Sequence, residues 1–154
     1  MNEMQYRRQQ VNDAVNEILQ NKKYGDVLDF NYLEELIGYE RFEGAFFIIF
    51  SAVREALVEY GYVLHNIINE GYRILFPNEV AEEVISRYLK GANNRLSKGL
   101  KIMRYTDRKA LNEQELRNFE GFENIMKAAL KSNQENLLTA QARLNSIKQK
   151  EMEG

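Results

Sequence analysis

The 154-residue sequence contains no cysteine, no tryptophan, one histidine and one proline. Without cysteine there are no disulfides, thiolate metal sites or cysteine nucleophiles, and a lone histidine leaves no His pair to hold a metal. Nine glycines with one proline leave little room for linkers. The opening MNEMQYRRQQVNDAV lacks the apolar core of a signal peptide, and no stretch approaches the roughly 20 apolar residues of a membrane span. A cytoplasmic chain with no membrane partner is expected. No glycine-rich phosphate loop precedes a helix, and no serine sits in a nucleophile-elbow setting. His65, between Leu64 and Asn66 in a β-prone run, reads as structural. Glu82-Glu83 and Glu113/Glu115 are adjacent or i, i+2 carboxylates that do not converge as an acid–base or metal pair would. The expectation is a protein that is not an enzyme, with no catalytic residues, no cofactor and no metal.

What is present is helical periodicity. Hydrophobic residues make up 44% of the chain, enough for a small domain plus an oligomerisation element. From Gln9 to Gln20, Val11, Ala14, Val15, Ile18 and Leu19 recur at helical spacing. Asp26 to Phe30 is a short β-prone run, after which Asn31 is expected to cap a helix over Tyr32 to Ile37 that stops at Gly38. Phe42 to Tyr60 predicts a longer helix with Phe46, Ile49, Phe50, Val53, Leu57 and Tyr60 on one face. Its apolar run Ala45 to Phe50 also fits a buried strand. Tyr62–Ile68 and Tyr72–Phe76 predict a hairpin turning through Asn69-Glu70-Gly71, with Gly71 supplying positive φ. Nine tyrosines scatter along the chain and read as core-edge residues.

This order, with Asn69-Glu70-Gly71-Tyr72-Arg73-Ile74, resembles a winged helix-turn-helix domain and the Gly-Tyr-Arg wing strand of the response-regulator effector class. The resemblance covers residues 9–77. It implies that Phe42–Tyr60 is the recognition helix and Ile68–Gly71 the wing tip, with Arg41, Ser51, Arg54 and Asn69 approaching DNA. The pattern departs where base readout needs polar residues: Phe47 and Ile48 are apolar, and Glu55 and Glu59 lie opposite the core face. That face equally suits packing beneath other helices or a partner.

Beyond Pro77, Asn78 is expected to cap a long helix running to Arg108. Arg87, Lys90, Asn94, Lys98, Lys101, Tyr105 and Arg108 fall three or four apart, within roughly 80° of arc at about 100° per residue. Between Val84 and Lys109 eight basic residues face one acid, Asp107, inside a chain of formal charge −2. Acids at the helix start and bases at its end also suit the helix dipole. The competing readings are a phosphate-gripping stripe and a solvated face. In the last segment Leu116, Phe119, Glu123, Met126, Leu130, Asn133, Leu137, Ala140, Leu144 and Ile147 alternate by three and four, which is heptad spacing with eight apolar residues at ten positions and the polar Asn133 inside the seam. This predicts homodimerisation through Phe119, Met126, Leu130, Asn133, Leu137, Leu144 and Ile147, or the same seam folded back on its own chain.

The expected architecture is therefore mainly α: a winged helix-turn-helix domain with a small β-hairpin wing over 1–77, then a basic helix and a coiled-coil-like dimerisation arm over 78–154. The expected function is a dimeric regulator of transcription or replication, of a bacterial or phage kind, binding double-stranded DNA. Arg41, Ser51, Arg54 and Asn69 would lie near bases, and Arg87, Lys90, Asn94, Lys98, Lys101 and Arg108 would lie on phosphates. The alternative is a protein–protein adaptor on the same scaffold that does not read DNA and docks an acidic partner.

Overall fold

The computed structural model describes residues 2–154. It is mainly helical with one small three-stranded antiparallel sheet, and it divides into two compact units, Met1–Val80 and Ala81–Gly154.

In the first unit, helix α1 spans Glu3–Asn21, six residues earlier than its apolar periodicity suggests. A capping box explains the extension: Asn2 Oδ1 accepts the N–H of Gln5 at 2.9 Å, and the N–H of Asn2 donates back to Gln5 Oε1 at 3.0 Å. Strand β1 (Val27–Asp29) leads directly into α2 (Phe30–Ile37). The cap of α2 is Asp29, whose Oδ1 accepts the N–H of Tyr32 at 2.8 Å, and not Asn31, which lies inside the helix. Gly38, at φ 79°, closes it.

Helix α3 runs Gly44–Glu59, so Ala45 to Phe50 is helical and the strand alternative falls. Phe46, Ile49, Phe50, Val53 and Leu57 are buried at i, i+3, i+4, i+7 and i+11, while Tyr60 caps the end exposed. These five pack with Ala14, Val15 and Ile18 of α1, Leu33 and Ile37 of α2, and Leu28, Leu64 and Ile74 of the strands.

Strands β2 (Leu64–Ile67) and β3 (Gly71–Ile74) form the hairpin, and β1 joins it, giving the order β1-β3-β2 with β3 central. The turn's left-handed residue is Asn69, at φ 64°. Gly71 has the expected positive φ, 146°, and is needed for a second reason as well. It already lies in the ladder, opposite Asp29 on one side and Ile67 on the other. A Cβ there would sit 2.1 Å from the Leu28 carbonyl oxygen. Tyr24 and Tyr62, distant in sequence, meet with ring centroids 5.2 Å apart. Tyr62 Oη also donates to the Lys22 carbonyl at 2.9 Å.

The helix expected over 78–108 is unbroken as far as Arg104 but is not uniformly α. Pro77–Glu79 is a 3₁₀ turn, followed by α4 (Val80–Val84), a π-helical turn over Ile85–Leu89, and α5 (Lys90–Arg104). Asn78 caps nothing; Glu79 does, its Oε2 accepting the N–H of Phe76 at 2.9 Å. The chain leaves the helix at Tyr105, and Arg108 lies in a separate 3₁₀ turn, Arg108–Ala110. Helix α6 then spans Glu113–Glu153, opened by an Asn112/Glu115 capping box.

Helices α5 and α6 form an antiparallel hairpin. Lys148 reaches Glu82 at 2.7 Å at one end, Asn133 Nδ2 donates to the Leu89 carbonyl at 3.2 Å in the middle, and Arg108 binds Glu123 toward the connecting turn. Leu116, Phe119, Glu123, Met126, Leu130, Asn133, Leu137, Ala140, Gln141 and Leu144 are the half-buried positions of α6. The heptad seam is thus folded back on its own chain. Ile147, near the end of α6, remains exposed. No described residue of this unit is fully buried.

Candidate binding surfaces

The π turn decides what remains of the basic stripe. An α-helix advances 100° per residue, and a π turn advances less, so residues on its two sides lose their common phase. Arg87 lies inside that turn and pairs with Glu83 at 3.1 Å. Arg108, beyond the helix, lies half-buried over the Phe119 ring at 5.3 Å and binds Glu123. Both depart from the expectation of unpaired cations on one helical line. Lys127 also binds Glu123, at 2.7 Å, and its hydrogen bond, ahead of the Arg108 charge, holds that carboxyl below the usual glutamate range. Lys90, Asn94, Lys98 and Lys101 remain at i, i+4, i+8 and i+11 of α5, all exposed and continued by exposed Tyr105. Lys90, Lys98 and Lys101 make no ion pair among the described residues.

Charge also separates between the units. Residues 1–80 carry seven Lys and Arg against thirteen Asp and Glu, a balance of −6, whereas residues 81–154 carry fourteen against ten, a balance of +4. The acids that do not converge in sequence have individual partners: Glu82 with Lys148, Glu83 with Arg87, and Glu113 with Arg117. Among the described residues no group of three or more His, Asp or Glu is placed to hold a metal ion. No helix is long and apolar enough to cross a membrane.

The first unit presents α3 outward through Phe47, Ile48, Ser51, Glu55 and Glu59, all exposed. This strip is apolar in its first half and acidic in its second. The arginines expected at bases are laid over aromatic rings instead. The Arg41 guanidinium lies 4.8 Å from the ring centres of both Phe30 and Phe42, and that of Arg54 lies 4.9 Å from Tyr72. Ser51 is exposed on α3, and Asn69 is exposed in the hairpin turn. Between α3 and that turn lies a groove of about 600 Å³, lined by Arg41, Phe42, Phe47, Asn66, Ile68 and Tyr72 among others. The sequence placed Phe47 on the outer face and Ile68 at the wing tip, but made Phe42 the first residue of the helix, whereas it stands in the turn before α3.

Beside β2, Arg73 and Glu79 form a bidentate pair with both N···O distances at 3.0 Å. The Arg73 hydrogen bond, then that from the Phe76 N–H, hold the Glu79 carboxyl below the ordinary glutamate range. His65 lies opposite Arg73 in the ladder, and its charge contributes in the same direction.

Comparison of the chain with protein-family models, with curated proteins and with solved structures gives no match.

Proposed function

We propose that this protein is a regulator that grips duplex DNA through the exposed cations of α5 and uses a winged-helix-like first unit to dock protein. The observation that carries the reading is the row Lys90, Asn94, Lys98 and Lys101, exposed and free of ion pairs among the described residues. A straight line of unpaired cations suits a phosphate backbone, where each neutralised phosphate releases counterions. Support for the winged-helix assignment is the order α1-β1-α2-α3-β2-β3 with sheet order β1-β3-β2. The apolar and acidic outer face of α3 argues against base reading through that helix. Positioning on DNA would then be largely independent of sequence.

Self-association belongs to the same proposal. A two-helix hairpin without one fully buried residue has little core of its own, and a second copy would enlarge it toward a four-helix bundle. A second reading, a protein adaptor that binds no DNA, is favoured by the −6 balance of the first unit. Anisotropy with a random duplex at about 50 and 200 mM salt separates the two, with sedimentation run on the same sample. The expected result is affinity from a dimer that falls by on the order of a hundredfold across that range. Lys98→Ala with Lys101→Ala should weaken binding to every sequence and flatten the salt slope by roughly one unit per lost contact. Unchanged affinity in that double variant removes α5 from the interface, and no binding at low salt leaves the adaptor reading.

A further inference from the structure

We propose that the groove between the start of α3 and the β2–β3 turn receives a partner segment of apolar side chains flanked by lysine or arginine. This deepens the docking role given to the first unit and does not depend on DNA binding by α5. The apolar half of the argument is exposure. Phe42 is 81% exposed, Ile68 80% and Phe47 58%, around a groove whose floor is aromatic. Three large apolar side chains lining one concavity form a contiguous patch, unlike single apolar residues scattered over a surface. Phe47 is also held in place from beneath, edge-on to buried Phe46 with ring centroids 5.7 Å apart. A preformed aromatic wall binds at low ordering cost.

The charge beside the groove selects the flanks of the occupant. Glu40 and Glu43 flank Arg41 and Phe42 of the lining in sequence, and Glu70 follows Asn69 of the lining. None of these three carboxylates is in an ion pair among the described residues. Arg41, itself in the lining, keeps its charge over the Phe30 and Phe42 rings, so the neighbouring carboxylates outnumber it. An apolar groove with that excess of acid beside it attracts cationic flanks and repels phosphates. That disfavours an unpaired nucleobase, although the aromatic side chains alone would suit stacking.

The test is a peptide-display selection on the full-length protein, counter-selected on Phe47→Ser, with anisotropy of the enriched peptides. The expected peptides carry at least two apolar anchors and net positive charge. They should lose about tenfold or more in affinity on Phe47→Ser or Ile68→Ser and weaken on Glu40→Lys with Glu70→Lys. Ile68 is outside the buried core, so that variant serves if Phe47→Ser disturbs folding. Enrichment of acidic or neutral peptides, no enrichment, or binding to both serine variants as tight as to the wild type overturns the proposal. So does competition by an oligothymidylate for the same residues. Peptide affinity should be unchanged by Lys98→Ala with Lys101→Ala, so failure of the DNA reading and failure of this one are read separately.

Discussion

Replacing Gly71 with alanine should cost the first unit far more than replacing Gly38, though both have positive φ. Gly38, at φ 79°, closes α2, and a Cβ there would meet nothing within 4 Å. Gly38→Ala therefore measures backbone strain alone, about 1–2 kcal/mol for an L-residue in the left-handed region. Gly71 is at φ 146°, and its Cβ would stand 2.1 Å from the Leu28 oxygen, 2.8 Å from the Asp29 Cα and 3.0 Å from the Leu28 carbonyl carbon. All three are backbone atoms of β1, so no side-chain rotation relieves the overlap. A strained backbone of about 1–3 kcal/mol adds to an overpacking cost of about 1–3 kcal/mol, or β1 separates from β3. Separation carries its own cost, because Leu28 is fully buried and Asp29 caps α2.

A loss of about 3 kcal/mol in a unit of this size lowers Tm by roughly 12–24 °C. Near-UV circular dichroism is the suitable probe, since seven of the nine tyrosines lie in residues 1–80. The expected order of melting is wild type, then Gly38→Ala, then Gly71→Ala well below both. If Gly71→Ala melts with or above Gly38→Ala, the close approach of β1 to β3 does not hold and the three-stranded sheet is wrong.

Two further stability effects follow from the same geometry. Glu79 has its carboxyl held below the ordinary value of 4.5 by Arg73 and the Phe76 N–H. A depressed carboxylate contributes stability that is present above that ordinary value and is lost as pH falls through its lowered one. Glu79→Gln should flatten the acid limb of the first unit's urea stability below about pH 4.5 and cost less than about 1 kcal/mol at neutral pH, because the pair is partly exposed; an unchanged acid limb refutes the linkage. Gly121 lies inside α6 with nothing within 4 Å of its Cβ position. Gly121→Ala should therefore raise the stability of the helical hairpin by about 0.5–1 kcal/mol, read by far-UV melting, and destabilisation would place an unseen neighbour against that face.

The elements legible in the sequence were those whose pattern is local and repeated. The buried set Phe46, Ile49, Phe50, Val53 and Leu57 follows from helical spacing alone, and the half-buried seam of α6 follows from its alternation of three and four. Periodicity records which face is covered without saying by what, so the seam fitted a second copy and its own chain equally. The structure places α5 against it, and the polar Asn133 meets the Leu89 carbonyl, a partner 44 residues away that no window around position 133 contains. The basic stripe shortened for a related reason: its projection assumed 100° per residue through Ile85–Leu89, where the backbone makes a π turn, and nothing in ISRYL marks one. The positive φ of Gly71 was legible in the turn, but the second reason for a glycine there lay across the sheet in β1. The aromatic groove stayed hidden because Phe42 and Ile68, one at the start of α3 and one at the wing tip, are brought together only by the fold. Sites assembled from aperiodic residues have no period to detect. Charge is legible in the sequence, although the boundary that makes the division −6 and +4 comes from the structure. That division favours α5 for the proposed DNA contact over the helix that a winged-helix resemblance would nominate. An acidic unit presenting phenylalanines is poorly matched to phosphate and well matched to a cationic, apolar partner.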